Sequence, residues 1–204
     1  MERTEIIGMI SGLMVVFGAS SYFYRTWQGK IIPNIVTWLL FSFIELSILI
    51  NYRAVGASDN LWPAVFTLLD SLLITTIIIA KYGRKIKLKR FDYFCFALGF
   101  ISLVLWWCWR ENPAYAQYSL YAAMLADVAA GIATLNSDHS NPDEDRPFMW
   151  LIFAAAYGLD MLAIKKHDIA NYSLPIYMCL GAIIIAIPLI RYRIKMKIPL
   201  REWI

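Results

Sequence analysis

The sequence is poor in almost everything from which a soluble enzyme is built. Charged residues occupy 17% of the 204 positions against 60% hydrophobic ones, and a chain of that composition does not fold as a water-soluble domain. Histidine occurs twice, at His139 and His167. Both fall in stretches that read as connections on opposite faces, so neither a metal centre nor a histidine-based triad is expected from them. Cys95, Cys108 and Cys179 lie inside apolar runs without metal-ligand spacing and are expected to pack at lipid depth. Phosphate-cradling glycine loops, nucleophile elbows and cofactor motifs are missing. The start, "MERTEIIGMISG", places Glu2 and Glu5 where a signal peptide needs net positive charge, so the first apolar run is expected to stay as a helix.

What the sequence has in abundance is long apolar runs. A helix rises ~1.5 Å per residue and needs about 20 apolar residues to cross the hydrocarbon core. Seven stretches qualify, at 5–25, 34–52, 61–80, 92–110, 114–135, 147–165 and 172–194. The expected fold is therefore an all-α membrane protein of seven transmembrane helices. Fourteen of the 19 Lys and Arg residues fall on the side shared with the C-terminus: Arg25, Lys30, six in the run 81–90, Arg146, and five from Arg191 to Arg201. Arg3, Arg53, Arg110, Lys165 and Lys166 fall on the other. The positive-inside rule then places the N-terminus outside and the C-terminus in the cytoplasm. "YGRKIKLKR" is read as a cytoplasmic stop signal with weak attraction to anionic lipid, not as a nucleic-acid site. Trp106, Trp107 and Trp109 fit an aromatic belt at the outer end of the fourth helix.

A shift of 112 residues (150 − 38) lays "WLLF" at 38–41 on "WLIF" at 150–153 and Pro63 on Pro175, and it matches Leu13, Val16, Leu68 and Ile78 with identical residues. Helices 1–3 thus repeat as helices 5–7. The shift spans an even number of helices, so both copies cross in the same direction. Three segments follow: 1–83 as the first three-helix unit, 84–112 as a linker helix, and 113–204 as the second unit with a basic cytoplasmic tail.

Two parallel three-helix units joined by one helix (3+1+3), with the N-terminus outside, resemble the SWEET and PQ-loop superfamily of small-solute carriers. The resemblance is nearest to bacterial sequences with a "PNxxTW" lead into the second helix, here Pro33 to Trp38, and an acidic "PDEDRPFMW" lead into the sixth. It implies a bacterial cytoplasmic membrane and a small-molecule solute. At the inner ends of helices 1 and 5, where the superfamily has its Pro-Gln hinges, this chain has Ser21-Tyr22 and Ala133-Thr134.

Four acids lie inside the runs. Glu45 and Asp70 fall ~14 to 16 Å deep, near the midplane, with Asp127 inward of it and Asp160 outward. A charge at a helix centre costs about 2.5 to 3.5 kcal/mol on insertion scales, so these side chains are expected to face the bundle interior. Lys, Arg and His are absent at that depth. Each acid alone reads equally well as a neutral hydrogen-bonding group between helices. Together they invite a proton, a metal cation, or a cationic or hydroxyl-rich solute. By the repeat, Asp70 maps to Ala182 and Glu45 to Tyr157. Such asymmetry suits a binding site better than a packing rule, and Glu45, Asp70, Asp127 and Asp160 are expected to share one solute or ion pathway.

Gly8, Gly12, Gly18, Ala19, Ser20 and Ser21 in helix 1, and Ala122, Ala123, Ala126, Ala129, Ala130 and Gly131 in helix 5, read first as close-packing surfaces. Pore lining or a homo-oligomer contact is the less favoured use of them. Pro63 and Pro175 are expected in first helical turns capped by Asn60 and Asn171, and Pro188 as a kink. An intramembrane aspartyl protease would need Asp127 and Asp160 facing each other; "YGLD" at 157–160 lacks the second glycine of that motif. The chain thus reads as a non-enzymatic carrier of a sugar-like, vitamin-like or cationic solute in a lipid bilayer, without cofactor, metal or nucleic acid. A membrane receptor, sensor or scaffold on the same fold is the alternative. Cysteines placed in the 84–90 loop and at the C-terminus should both label from the cytoplasmic side, and one at the N-terminus from outside; labelling of the first two from opposite sides refutes the seven-helix count.

Overall fold

A computed structural model describes residues 2–30, 35–83, 90–140, 142 and 145–203. Pro33 and Asn34, most of the basic run (84–89), residues 143–144 of the acidic lead and the side chains of Ala133 and Thr134 lie outside the described residues. The chain forms α1 (Arg3–Gln28), α2 (Ile35–Ala54), α3 (Trp62–Tyr82), α4 (Arg90–Trp109), α5 (Pro113–Ser140), α6 (Pro147–Asp160) and α7 (Ile169–Lys195). Short 3-10 turns cover Asp59–Leu61, Met161–Ala163 and Leu200–Glu202, and there is no strand among the described residues. α1, α2, α3, α4 and α7 are long and apolar enough to cross a membrane. Large apolar side chains such as Leu13, Phe17, Phe100 and Leu125 stay exposed, as a lipid-facing surface requires.

Local chemistry sets the helix ends. α1 stops at Gly29, whose φ of 76° is the left-handed conformation glycine adopts without strain; its N–H bonds to Thr26 and that of Lys30 to Arg25, closing the last turn. α3 starts with Pro63 in its first turn, as expected. α5 runs on to Ser140, so His139 belongs to its last turn instead of a loop. α6 is shorter than the expected 147–165. It ends at Asp160, passes into the 3-10 turn and leaves extended at Ile164. Its 14 residues rise ~21 Å, less than the ~30 Å hydrocarbon core.

The start of α7 also corrects an expectation. Asp168, not Asn171, is the N-cap, accepting the Asn171 N–H at 2.9 Å. Pro175 lies inside the helix. A proline there cannot bond the carbonyl four residues earlier, and that carbonyl belongs to Asn171. The Tyr52 hydroxyl of α2 donates to it at 2.7 Å. Asn60 likewise does not cap α3: its amide accepts from the Ser58 N–H and donates to the Tyr52 hydroxyl.

Contacts fix which ends lie together. Lys165 reaches Glu2 and Asp59, and Lys166 reaches the Val55 carbonyl, so the starts of α1, α3 and α7 meet the ends of α2 and α6. At the opposite end Lys81 and Tyr82 donate to Trp27 and Thr26 carbonyls, and Arg193 donates to those of Pro142 and Asp145. Arg193, counted from sequence only among the basic residues on the C-terminal side, is 1% exposed and braces the α5–α6 connection. α3 packs against both α1 and α2, and α7 packs against both α5 and α6. α1 packs on α6 and α2 on α5, and α4 leans on α2 and α5.

Small residues make these approaches close. Ala116, Ala123, Ala126 and Ala130 of α5 pack with Ile44, Ile48 and Tyr52 of α2 and Leu174 of α7. Gly8 and Gly12 are used inside the chain: a Cβ on Gly8 would stand 1.9 Å from the Asp59 carbonyl oxygen, and one on Gly12 2.7 Å from the Phe66 ring. Gly8→Ala must displace backbone and should cost about 1 to 3 kcal/mol, whereas Gly158→Ala, whose Cβ would meet only the Cys179 sulfur at 3.9 Å, should be nearly neutral. Thermal unfolding of the purified variants in one detergent checks the pair; equal melting temperatures would refute the tight α1–α3 contact.

Candidate functional site: a carboxylate-lined cavity between the two halves

A cavity of about 290 Å³ is lined by residues of α1, α2, α3, α5, α6 and α7. On α2, Trp38, Phe41 and Glu45 recur at three- and four-residue spacing and therefore share one helical face. α6 presents Trp150, Phe153 and Tyr157 at the same spacing. α3 contributes Thr67, Asp70, Ser71 and Ile74, α5 contributes Asp127 and Gly131, and α7 contributes Tyr177, Gly181 and Ala182.

Three of the four acids expected in one pathway, Glu45, Asp70 and Asp127, line this cavity. Asp160 is not among its lining residues, which corrects the expectation of a single group of four. It is fully buried against α1, where the Ser11 hydroxyl donates to its Oδ1 at 3.2 Å. The helix accounts for the difference: three residues past Tyr157 the side chain has turned about 60° away, toward α1.

The polar groups are only partly paired. Tyr177 donates its hydroxyl to Asp127 Oδ2 at 2.8 Å, and the Tyr157 and Thr67 hydroxyls lie 2.8 Å apart. Glu45 Oε2, Asp70 Oδ2 and Asp127 Oδ1 are buried without a hydrogen-bond partner. None of the described lining residues is Lys, Arg or His. These oxygens can accept hydrogen bonds or hold positive charge. Asp127 lines the cavity and Asp160 does not, so the cavity does not present them as a pair.

The residues around the acids were not singled out as site residues from sequence, although their signal was present. At the 112-residue shift, Ala19 pairs with Gly131, Trp38 with Trp150, Phe41 with Phe153, Glu45 with Tyr157 and Asp70 with Ala182, and both members of every pair line the cavity. Tyr177 carries no such mark; only the fold brings it to Asp127.

The cavity extends from mid-helix toward the end where α1 and α7 finish, reaching Met149 and Leu135. The opposite end is closed by polar contacts. Lys165 bridges Glu2 at 2.7 Å and Asp59 at 2.9 Å, and Thr4 donates to the same Asp59 carboxylate at 2.7 Å. Hydrogen bonds to Glu2 and Asp59 hold the Lys165 ammonium above its ordinary pKa. Asn171 bonds the Val55 carbonyl at 3.4 Å and Asp168 at 2.9 Å, and Tyr52 joins Asn60 to Asn171.

The chain matches no family model, no curated protein and no solved structure.

Asp168 gives this sealed end a pH dependence. Partial burial alone would raise its carboxyl pKa, but hydrogen bonds from Lys166 and Asn171, with the Lys166 charge, outweigh that and hold it below the usual range. A lowered folded-state pKa contributes stability above the unfolded value and loses it as pH falls through the folded one. Asp168→Ala should therefore cost about 1 kcal/mol at pH 7. The smaller deficit of Asp168→Asn should close as pH drops below about 4. Melting temperatures from pH 7 to 3 check this; a deficit constant with pH would show that the charge plays no part.

Proposed function

We propose that the chain is a seven-helix membrane carrier of a small solute, in two parallel three-helix halves around α4, with the cavity as its solute site. One observation carries the reading: a single cavity is lined by both members of five residue pairs related by the 112-residue shift and by three carboxylates with unpartnered oxygens. The packing supports the pseudo-twofold arrangement. Exchanging α1, α2 and α3 for α5, α6 and α7 turns the α1–α6 contact into the α5–α2 contact, and α1–α3 and α2–α3 into α5–α7 and α6–α7. By the positive-inside rule the sealed end faces outward and the cavity extends toward the cytoplasm. A carrier needs a seal on one side of its site while the other side is reached.

A non-transporting receptor on the same fold is favoured by one feature: α1 continues unbroken through Ser21-Tyr22, where the resembling carriers have a proline hinge. The experiment that separates the two is counterflow in proteoliposomes loaded with pooled sugars, amino acids, vitamins and amines. A carrier exchanges at least one labelled pool member. A receptor binds without exchanging, and that outcome would overturn the carrier reading. Asp70→Asn keeps the shape and hydrogen-bonding capacity of the side chain and should fold normally while losing flux, or its dependence on pH between 5 and 8. Unchanged flux across that range would remove Asp70 from the pathway.

A further inference from the structure

We infer that the occupant of this cavity is a compact organic cation with an ammonium head, an inference that rests on reading the cavity as the solute site. The charged part of the lining is all of one sign. Glu45 and Asp127 are 4% and 8% exposed, and each has a buried oxygen without a partner. Asp70 supplies a third such oxygen from the facing helix. The lining hydroxyls are already engaged, Thr67 with Tyr157, Tyr177 with Asp127 and Ser71 with the Leu68 carbonyl. What the site leaves over is carboxylate acceptors with no cationic side chain to satisfy them, whereas a neutral hydroxylated solute needs donors and acceptors in alternation. Buried carboxylates are stabilised by positive charge, and a bound cation supplies it.

The remaining walls decide which kind of cation. A bare divalent ion requires several oxygens converging at about 2.0 to 2.6 Å, and among the described residues no three acidic, Cys or His side chains are grouped closely enough to hold a metal. The walls are instead aromatic and apolar, with Trp38 and Trp150 at matching positions of the two halves and Tyr177 beside Asp127. Ring faces attract an ammonium within ~6 Å, most strongly when it is desolvated. A volume of about 290 Å³ is at the small end of ligand pockets, which span roughly 300 to 1,000 Å³. An ammonium on a short carbon skeleton satisfies both the oxygens and the rings.

Choline and its neutral isostere 3,3-dimethylbutan-1-ol have the same shape and differ in the charge. With the purified full chain in nanodiscs at constant ionic strength, choline should bind at least tenfold more tightly than the isostere by calorimetry and raise the melting temperature. Glu45→Gln and Asp127→Asn should each weaken choline at least tenfold. The comparison of the two probes on the unaltered protein needs no variant to fold. Equal binding of choline and isostere, or no binding of choline, overturns the inference. Calcium stabilising the protein where choline does not would overturn it in favour of a metal site. Glucose binding in place of choline would overturn the cation class and leave the solute site standing. Choline binding without counterflow would uphold the cation class while the carrier reading fails.

Discussion

Three carboxylates held in the apolar interior of the bundle, without a basic side chain facing them, are the constraint around which its centre is organised. An ionised carboxylate away from water is costly unless paired, and a polar group left without a partner still carries a desolvation penalty. A bundle that served packing alone would carry leucine or alanine at such positions. The bundle answers the cost only in part. Tyr177 satisfies one oxygen of Asp127, and Ser11 takes one of Asp160 in a separate seam. The oxygens left over point to chemistry that the protein does not complete by itself.

The two ends of the bundle are built differently, and the difference follows from where polar side chains can be paired. At the end where α1 begins, Glu2, Asp59 and Lys165 alternate in sign, and Tyr52, Asn60 and Asn171 pass hydrogen bonds from α2 across the turn before α3 to α7. The backbone comes so close there that Gly8 has no room for a methyl group. At the other end Arg193 is spent on the connection between α5 and α6, and Trp150 donates its indole N–H to Asp145 at 2.8 Å. These contacts hold the rim of the cavity and fix Trp150 in its lining, while the three carboxylates keep unpartnered oxygens.

Helix α7 illustrates how a membrane protein accommodates proline. Pro175 frees the Asn171 carbonyl, and inside a bundle that carbonyl must find another donor. It does so on α2, through Tyr52, which ties the second half to the first. A local defect thereby becomes a contact between halves.

Much of this was legible in the sequence, for identifiable reasons. Helix number and the all-α class follow from apolar runs of about 20 residues, because a bilayer leaves the backbone few other ways to satisfy its hydrogen bonds. Trp38 and Trp150 pointed to a repeat because tryptophan matches rarely by chance, and Glu45, Asp70 and Asp127 stood out because acids at that depth are expensive. Helix ends were less legible. α6 stops early at Asp160, and the cap of α7 is Asp168, which accepts the Asn171 N–H, where Asn171 itself was expected to cap. The separation of Asp160 from the other acids, the burial of Arg193 and the role of Tyr177 were decided by tertiary structure alone. Depth along a helix can be counted from sequence. The direction in which a side chain leaves the helix acquires meaning only when the neighbouring helix is in place.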